Sequence, residues 1–161
     1  MRSSRSVKIR QDPDWGAEVQ GGLSWLFAEQ CATLVDSTCQ AGSFGLKTAT
    51  IKVSNIILKV FRDATLPPDY IEARIAPVHA PTDFKPPVSA WMALELMAHG
   101  TIPSKPPYKE FTLQGLSKLL QQNFVQLNEA FSGANYLTIR QRIDEIEQEH
   151  WRQLEQKHSQ K

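Results

Sequence analysis

The chain has 161 residues, 41% of them hydrophobic, which is the length of one ordinary domain and enough to bury a core without a metal or a disulfide. Its 18 lysines and arginines nearly balance 17 aspartates and glutamates, which excludes the overall basicity of a dedicated nucleic-acid-binding protein. The N-terminus has no apolar run behind its basic residues, and no window is apolar enough for a membrane span. We therefore expect a cytoplasmic protein without membrane contact.

Residues 1–11 contain four basic side chains and no acid, and they are predicted to form a mobile basic tail. A helix is predicted to begin after Asp12 and Pro13, because Asp is a favoured N-cap and Pro is favoured at the first helical position. The tail is a candidate contact for a phosphate backbone or an acidic partner.

After a soft point at Gly21 and Gly22, the same helix is predicted to continue until Gly42 and Gly45 end it, because apolar side chains recur at three- and four-residue spacing over residues 23–38. Cys31 and Cys39 belong to this apolar face and would lie about 12 Å apart along a helix. Since that distance is too long for a disulfide, both are predicted to be reduced thiols in the core.

Residues 46–64, LKTATIKVSNIILKVFRDA, combine strand-forming residue types with a helical pattern. At 100° per residue, Lys52, Lys59 and Arg62 fall on the side opposite the apolar residues. Three consecutive apolar residues also break the alternation of a strand. A helix is therefore predicted, with a β-hairpin that turns at residues 54–55 as the alternative. The three basic residues are candidate nucleic-acid contacts, although such a face is commonly just the solvated side.

Nine of the ten prolines lie between positions 67 and 107. Within this region, YIEARIA at 70–76 alternates apolar and polar residues, which predicts a half-exposed strand in need of a partner strand. TIPSKPPYK at 101–109 is predicted to be an extended connector, and the P-x-x-P motif that it contains is too permissive to identify an adapter ligand.

AWMALELMAHG, residues 90–100, lies in a helix predicted over 88–99 with Gly100 as its stop. Apolar side chains surround this helix, so it is either central to the fold or covered by another molecule. In the second case Trp91, Met92 and Met97 are the candidate partner-binding residues, because aromatic and Met side chains are enriched in interface centres.

Glu95 and His99 lie four residues apart on one face of that helix, and they are weak candidates for a metal or acid–base site. Glu147 and His150 have similar spacing, but a di-metal helix bundle needs a larger set of Glu and His ligands. No Gly-rich phosphate loop, zinc-ligand spacing or nucleophile–base motif is present. The sequence therefore predicts no cofactor and no catalytic residue.

The C-terminal third predicts two helices. Thr112 is an N-cap candidate for the first helix, which Gly133 closes. Its apolar stripe consists of Leu113, Leu116, Leu120, Phe124, Leu127 and Phe131. Thr138 and Gln141 have the spacing of a capping box at the start of the second helix.

These two helices are also compatible with a helix-turn-helix. In that interpretation Arg140 and Arg142, near the start of the second helix, contact nucleic acid. Four acidic residues farther along the same helix would repel phosphates, so a plain helical hairpin is the simpler interpretation.

The predicted fold is mainly α, with about five helices in one compact domain over residues 12–158, a short extended Pro-rich insertion and a disordered end at 159–161. The alternative is α+β with a small β-hairpin or meander at 47–77. We expect a non-enzymatic accessory or adapter subunit that binds a protein partner, or joins a larger complex, through its apolar helix, with nucleic acid on a basic face. The alternatives are a helix-turn-helix DNA-binding protein and a small metal-dependent enzyme.

Overall fold

Six antiparallel strands form one sheet, in which each strand pairs with the next along the chain. The structure, a computed structural model, describes residues 8–41, 45–63, 70–79, 88–102, 112–133 and 135–160. The strands are β1 Lys8–Gln11, β2 Thr33–Ala41, β3 Lys47–Val53, β4 Ile56–Asp63, β5 Tyr70–Pro77 and β6 Val88–Ser89. The helices are α1 Pro13–Gly22, α2 Ser24–Glu29, α3 Ala90–His99, α4 Leu113–Phe131 and α5 Asn135–Ser159. The fold is α+β, so the prediction of a mainly α fold was wrong.

The β3–β4 hairpin replaces the helix predicted at 46–64. Val53 pairs with Ile56 across a two-residue turn, and Ser54 has φ 51°, the positive value that such turns require at their first position. Alternate residues on both strands are buried, and the turn places 53 and 56 on the same face. The buried residues therefore have odd numbers on β3 and even numbers on β4, and this change produced the three- and four-residue spacing that resembled a helix. The hairpin alternative is confirmed.

The helix predicted to run from Asp12 and Pro13 to Gly42 is also wrong in its second half. α2 ends at Glu29, and β2 pairs with β3 and with β1 from residue 33 onwards. Cys31 is exposed and has φ 54°, while Cys39 is half-buried on β2, and both are free thiols. Pairing with β1 and β3 stabilises β2. Because these strands lie elsewhere in the sequence, the local residue pattern of β2 does not indicate the pairing.

β1 is made of the last four residues of the predicted mobile tail, Lys8–Gln11, which pair with the end of β2. Residues 1–7 lie outside the described part of the chain, as does the P-x-x-P motif at 103–106. The strand predicted at 70–76 is confirmed as β5, and it has β4 and β6 as its partner strands.

The core lies between one face of the sheet and the helices. The sheet contributes buried side chains such as Ile51, Leu58 and Ile75, and the helices contribute Trp15 from α1, Leu26 from α2 and the stripe of α4. Among the described residues, no helix covers the other face of the sheet over β3 and β4, and we call it the open face. It is defined by Thr48, Thr50, Lys52, Lys59, Phe61, Tyr70, Glu72 and Arg74.

Helix ends follow the predicted signals at Asp12, Gly100 and Thr112, but not at Thr138. The Thr112 hydroxyl accepts a hydrogen bond from the backbone N–H of Gly115 at 3.1 Å, and the stripe of α4 is buried apart from Leu113, which is partly buried. Gly100 has φ 72° and ends α3 as predicted. Because α5 already begins at Asn135, Thr138 lies inside the helix, so the predicted capping box was wrong.

Asp12 caps α1 as predicted. Its carboxylate accepts the backbone N–H of Trp15 at 3.0 Å and lies 3.4 Å from the ammonium group of Lys47 on β3. The hydrogen bond from Trp15, with help from Lys47, lowers the pKa of this carboxyl below its ordinary value of 3.8. The cap therefore joins α1 to the sheet.

Replacing Asp12 by Ala is expected to lower the free energy of unfolding by about 1 kcal/mol at pH 7, the usual cost of a lost N-cap. Because the folded-state pKa is lowered, the contribution of the carboxylate is complete above the unfolded value and is lost as the pH falls through the folded one. Urea titrations at pH 7 and in strong acid test this. An equal loss at both pH values would contradict it, and Asp12→Asn, which retains a cap without the charge, should lose less.

Candidate functional site

α3 is covered by its own chain. It contacts β5, β6, α4 and α5, and Trp91 is only 5% exposed. Met92 and Met97 are half-buried and pack against the same core. The apolar circumference of α3 therefore reflects a central position in the fold. A role of Trp91, Met92 and Met97 in partner binding stays a prediction, and Trp91 has little free surface with which to perform it.

Glu95 and His99 form a loose pair at the end of α3, with 3.9 Å between His99 Nε2 and Glu95 Oε2. The His99 side chain is largely exposed. No group of three or more His, Cys, Asp or Glu side chains in the described ranges is arranged to hold a metal ion. The pair is thus a loose helical i, i+4 contact with an exposed His99, of the kind that contributes little to stability.

The predicted basic face of Lys52, Lys59 and Arg62 is divided between the two sides of the sheet. Lys52 and Lys59 are exposed on the open face. Arg62 lies on the opposite side, where its guanidinium is 3.7 Å from the carboxylate of Glu18 on α1. The reason is the alternation of a strand, which places residues 59 and 62 on opposite faces.

Arg140 and Arg142 form ion pairs with acidic side chains of α5, their own helix. Arg140 lies 3.4 Å from Asp144, and Arg142 lies 3.2 Å from Glu145. They are the sixth and eighth residues of α5, in its second and third turns, well after its start at Asn135. The structure does not bring them together with Lys52 and Lys59, which lie on the sheet.

The polar centre of the open face lies on β5, where Glu72 is a buried carboxylate. The Tyr70 hydroxyl donates to Glu72 Oε2 at 2.7 Å, and the Ser89 hydroxyl donates to Oε1. A buried carboxylate requires such donors, because it has lost its hydration. β6 thus contributes Ser89 at the point where the strand turns into α3.

Arg74 lies beside this centre, directly across from Ser89 on one side and from Lys59 on the other. Its guanidinium carbon is 5.3 Å from the centre of the Phe61 ring, a distance typical of a cation–π contact. Phe61 is also 6.4 Å from the ring of Tyr70. This aromatic support fixes the stem of Arg74 on the open face.

A pocket of about 250 Å³ lies where β5 and β6 meet α3 and α5, and we call it the polar pocket. Glu72, Arg74, Ser89 and Trp91 line one side, and Arg140, Asp144 and Glu147 of α5 line the other. Two of its lining residues have buried N–H groups that find no hydrogen-bond partner in the described part of the chain, Arg74 at Nε and Trp91 at Nε1. Buried donors of this kind are rare in folded proteins, because each costs the free energy of its lost hydration.

Sequence reasoning missed the polar pocket. YIEARIA gave the correct strand, but its polar side was expected to face water and not a helix. The only available signal was the combination of Glu72 and Arg74 on one side of a strand that precedes an apolar helix.

α5 extends past the rest of the described structure. It is 25 residues long, and only Tyr136 and Ile143, both in its first half, are buried. Residues 147–159, which we call the projecting half, are exposed except for Leu154, which is half-buried. Trp151 in this half is 65% exposed. A large aromatic side chain in water is unusual and commonly marks an interaction site when apolar neighbours accompany it.

Comparison with protein-family models, curated proteins and solved structures gives no match. Among the described helices, none combines the length and the apolar character that a membrane crossing demands.

Proposed function

We propose that this protein is an accessory subunit without catalysis of its own, and that it binds a protein partner through the projecting half of α5. The observation that carries the proposal is Trp151, which is 65% exposed on a helix half that has hardly any buried surface. Trp is the residue type most enriched among the few that dominate the binding energy of protein interfaces.

The apolar line of α5 continues beyond the body of the protein. Ile143 is buried, and at helical spacing His150 and Leu154 follow it on the same side, with Trp151 next to them. A helix half with little tertiary packing is marginally stable in water, so covering this side would stabilise it. We infer a partner with an apolar groove that accepts one face of a helix, with Trp151 and Leu154 as anchors.

The proposal is tested by affinity capture from the native cell with three tagged proteins: the wild type, Trp151→Ala and Val125→Ala. Val125 is the matched control, because it is an exposed apolar residue (70% exposed) on α4, outside the projecting half. A protein captured by the wild type and by Val125→Ala, but not by Trp151→Ala, supports the proposal. Equal capture by all three contradicts it. A wild type that sediments as a dimer, together with a Trp151→Ala variant that sediments as a monomer, also contradicts it. In that case the surface would bind a second copy of the chain.

A second candidate function is nucleic-acid binding on the open face. Lys59 lies directly across from Arg74, and Lys52 is exposed on the same face of the neighbouring strand. Three cations on one face of a sheet, with the aromatic ring of Phe61 on β4 beside them, are suited to a phosphate backbone. This candidate uses two of the five predicted nucleic-acid contacts and adds Arg74.

The Lys52→Ala, Lys59→Ala double variant is expected to bind single-stranded or duplex DNA more weakly than the wild type. The slope of log K against log salt should also fall by about 2, one unit for each lost phosphate contact. Filter-binding or anisotropy titrations at several salt concentrations measure both quantities. Arg62→Gln, on the opposite face, is the control and should behave like the wild type. An unchanged double variant would exclude the open face, and a loss only in Arg140→Ala, Arg142→Ala would instead support the helix-turn-helix.

A further inference from the structure

We propose that β1 is a docking edge of the sheet, to which a partner protein adds an extended acidic peptide as a further strand. The acidic side chains of this peptide would lie opposite Lys8 and Arg10. The inference does not depend on the proposed function, because it involves the end of the sheet opposite to β6 and no residue of α5.

β1 is the accessible one of the two edges of the sheet. It pairs with β2 alone, and all four of its residues are exposed. β6, at the other edge, has only two residues, both of them buried, before α3 begins. An exposed strand edge presents backbone N–H and C=O groups with which an additional strand can pair.

The pairing with β2 determines which residues of β1 direct their backbone groups outwards. The backbone N–H of Asp12, the residue after β1, donates to the C=O of Ser37 at 2.8 Å. Because antiparallel partners alternate between hydrogen-bonded and non-hydrogen-bonded pairs, Arg10 and Lys8 also direct their N–H and C=O groups towards β2. Ile9 and Gln11 direct theirs away from the sheet, where no other described strand pairs with them.

The side chains of β1 indicate the chemistry of the added strand. Lys8 and Arg10 are alternate residues and therefore lie on the same face. Neither forms an ion pair with another described residue. On the other face, Ile9 is 65% exposed. Since opposite charges on neighbouring strands stabilise a sheet, the strand that complements β1 has acidic residues alternating with apolar ones.

The same charges disfavour a second copy of this chain as the occupant. Two β1 strands related by a twofold axis pair antiparallel, and a pair centred on Ile9 puts Lys8 opposite Arg10 on both sides. A pair centred on either cation puts that cation opposite its own copy. A pair centred on Gln11 would need Pro13, the first residue of α1, as a strand residue. Like charges directly opposite each other are destabilising, so a foreign acidic strand is favoured over a second copy.

The test is a fluorescence-anisotropy titration of the purified full chain with two labelled, blocked peptides of about eight residues, long enough to cover the four of β1. One peptide alternates glutamate and valine, and the other alternates lysine and valine. We expect the glutamate peptide to bind with a dissociation constant below about 1 mM, and the lysine peptide to bind at least about tenfold more weakly. No binding of the glutamate peptide, or equal binding of both peptides, would overturn the proposal.

Charge reversal locates the contact. In the Lys8→Glu, Arg10→Glu double variant the preference should reverse, so that the lysine peptide binds at least about tenfold more tightly than the glutamate peptide. The matched control is Lys52→Glu, Lys59→Glu, which changes the net charge equally on β3 and β4 and should keep the preference of the wild type. A reversed preference in the control, or an unchanged one in the β1 variant, would overturn the assignment.

A proline at position 9 tests the backbone pairing. Because the N–H of Ile9 is not used in the pairing with β2, Ile9→Pro should fold, and it removes a donor that the added strand needs. It should bind the glutamate peptide at least about tenfold more weakly than Ile9→Ala, which loses the side chain but retains the N–H. Equal binding by these two variants would overturn the added strand. A wild type that sediments as a dimer, with Ile9→Pro as a monomer, would overturn it in favour of a second copy. The charge-reversed variant, whose backbone is unchanged, serves if Ile9→Pro does not fold.

Discussion

Replacing Trp91 by Ala is expected to lower the free energy of unfolding by about 3 to 5 kcal/mol, the range measured when large aromatic residues are removed from protein cores. Trp91 is 5% exposed and lies on a helix that contacts the sheet and two other helices. Its removal would leave a cavity that the surrounding sheet and helices can fill only in part. Since a domain of this size has about 5 to 15 kcal/mol of stability in total, the loss should be easily visible in urea unfolding.

Trp91→Phe and Trp151→Ala are the controls for this result. Trp91→Phe retains an aromatic ring in the core and removes the five-membered part of the indole, whose N–H has no partner among the described residues. It leaves a smaller cavity than Trp91→Ala and should therefore lose much less stability. Trp151→Ala, on the exposed half of α5, should change stability by no more than about 0.5 kcal/mol. A similarly small change in Trp91→Ala would show that α3 is not part of the core, and would restore Trp91 as a candidate partner anchor.

Once the partner is purified, Trp151→Ala is expected to weaken its affinity for this protein about 30-fold, which corresponds to about 2 kcal/mol, the threshold of an interface hot spot. The physical reason is that an indole buried in an apolar groove loses its whole contact area when it is truncated. Most of the change should appear as faster dissociation. Surface plasmon resonance with the partner in solution measures both rates.

Leu154→Ala and Val125→Ala refine this second result. Leu154 lies three residues after Trp151 on the same helix. Leu154→Ala should weaken binding by a smaller factor than Trp151→Ala, because Leu has less contact area than Trp. Val125→Ala should have no effect on affinity. If Trp151→Ala binds the partner as tightly as the wild type, the projecting half is not the contact surface, whatever Leu154→Ala does.

The helices with strong end signals could be predicted from the sequence, and the sheet mostly could not. Asp12, Thr112 and Gly100 act through neighbours three or four residues away, so the local sequence contains the whole signal. β2 is different, because residues 33–38 pair with residues far along the chain and their local pattern was compatible with a helix. β3 and β4 also resembled a helix in sequence. The two-residue turn at Ser54 moves the buried apolar residues from one alternating set of positions to the other, and the resulting spacing is typical of a helix.

The candidate site was less predictable than the fold. Glu72 and Ser89 are separated by a segment that has no periodic pattern, and only the pairing of β5 with β6 brings them together. α3 was correctly predicted as an apolar helix that is either core or interface, but periodicity alone does not distinguish these two positions. In contrast, Trp151 was not singled out from the sequence, so its exposure is a finding of the structure.

The central claim is that a partner covers Trp151 and not Trp91. Hydroxyl-radical footprinting with mass spectrometry tests it most directly, because the rate of side-chain oxidation follows exposure to water. In the free protein, Trp151 should be oxidised rapidly and Trp91 hardly at all, and in the isolated complex Trp151 should become protected. Equal oxidation of Trp151 in the free protein and in the complex, or rapid oxidation of Trp91 in the free protein, would contradict the proposed interface.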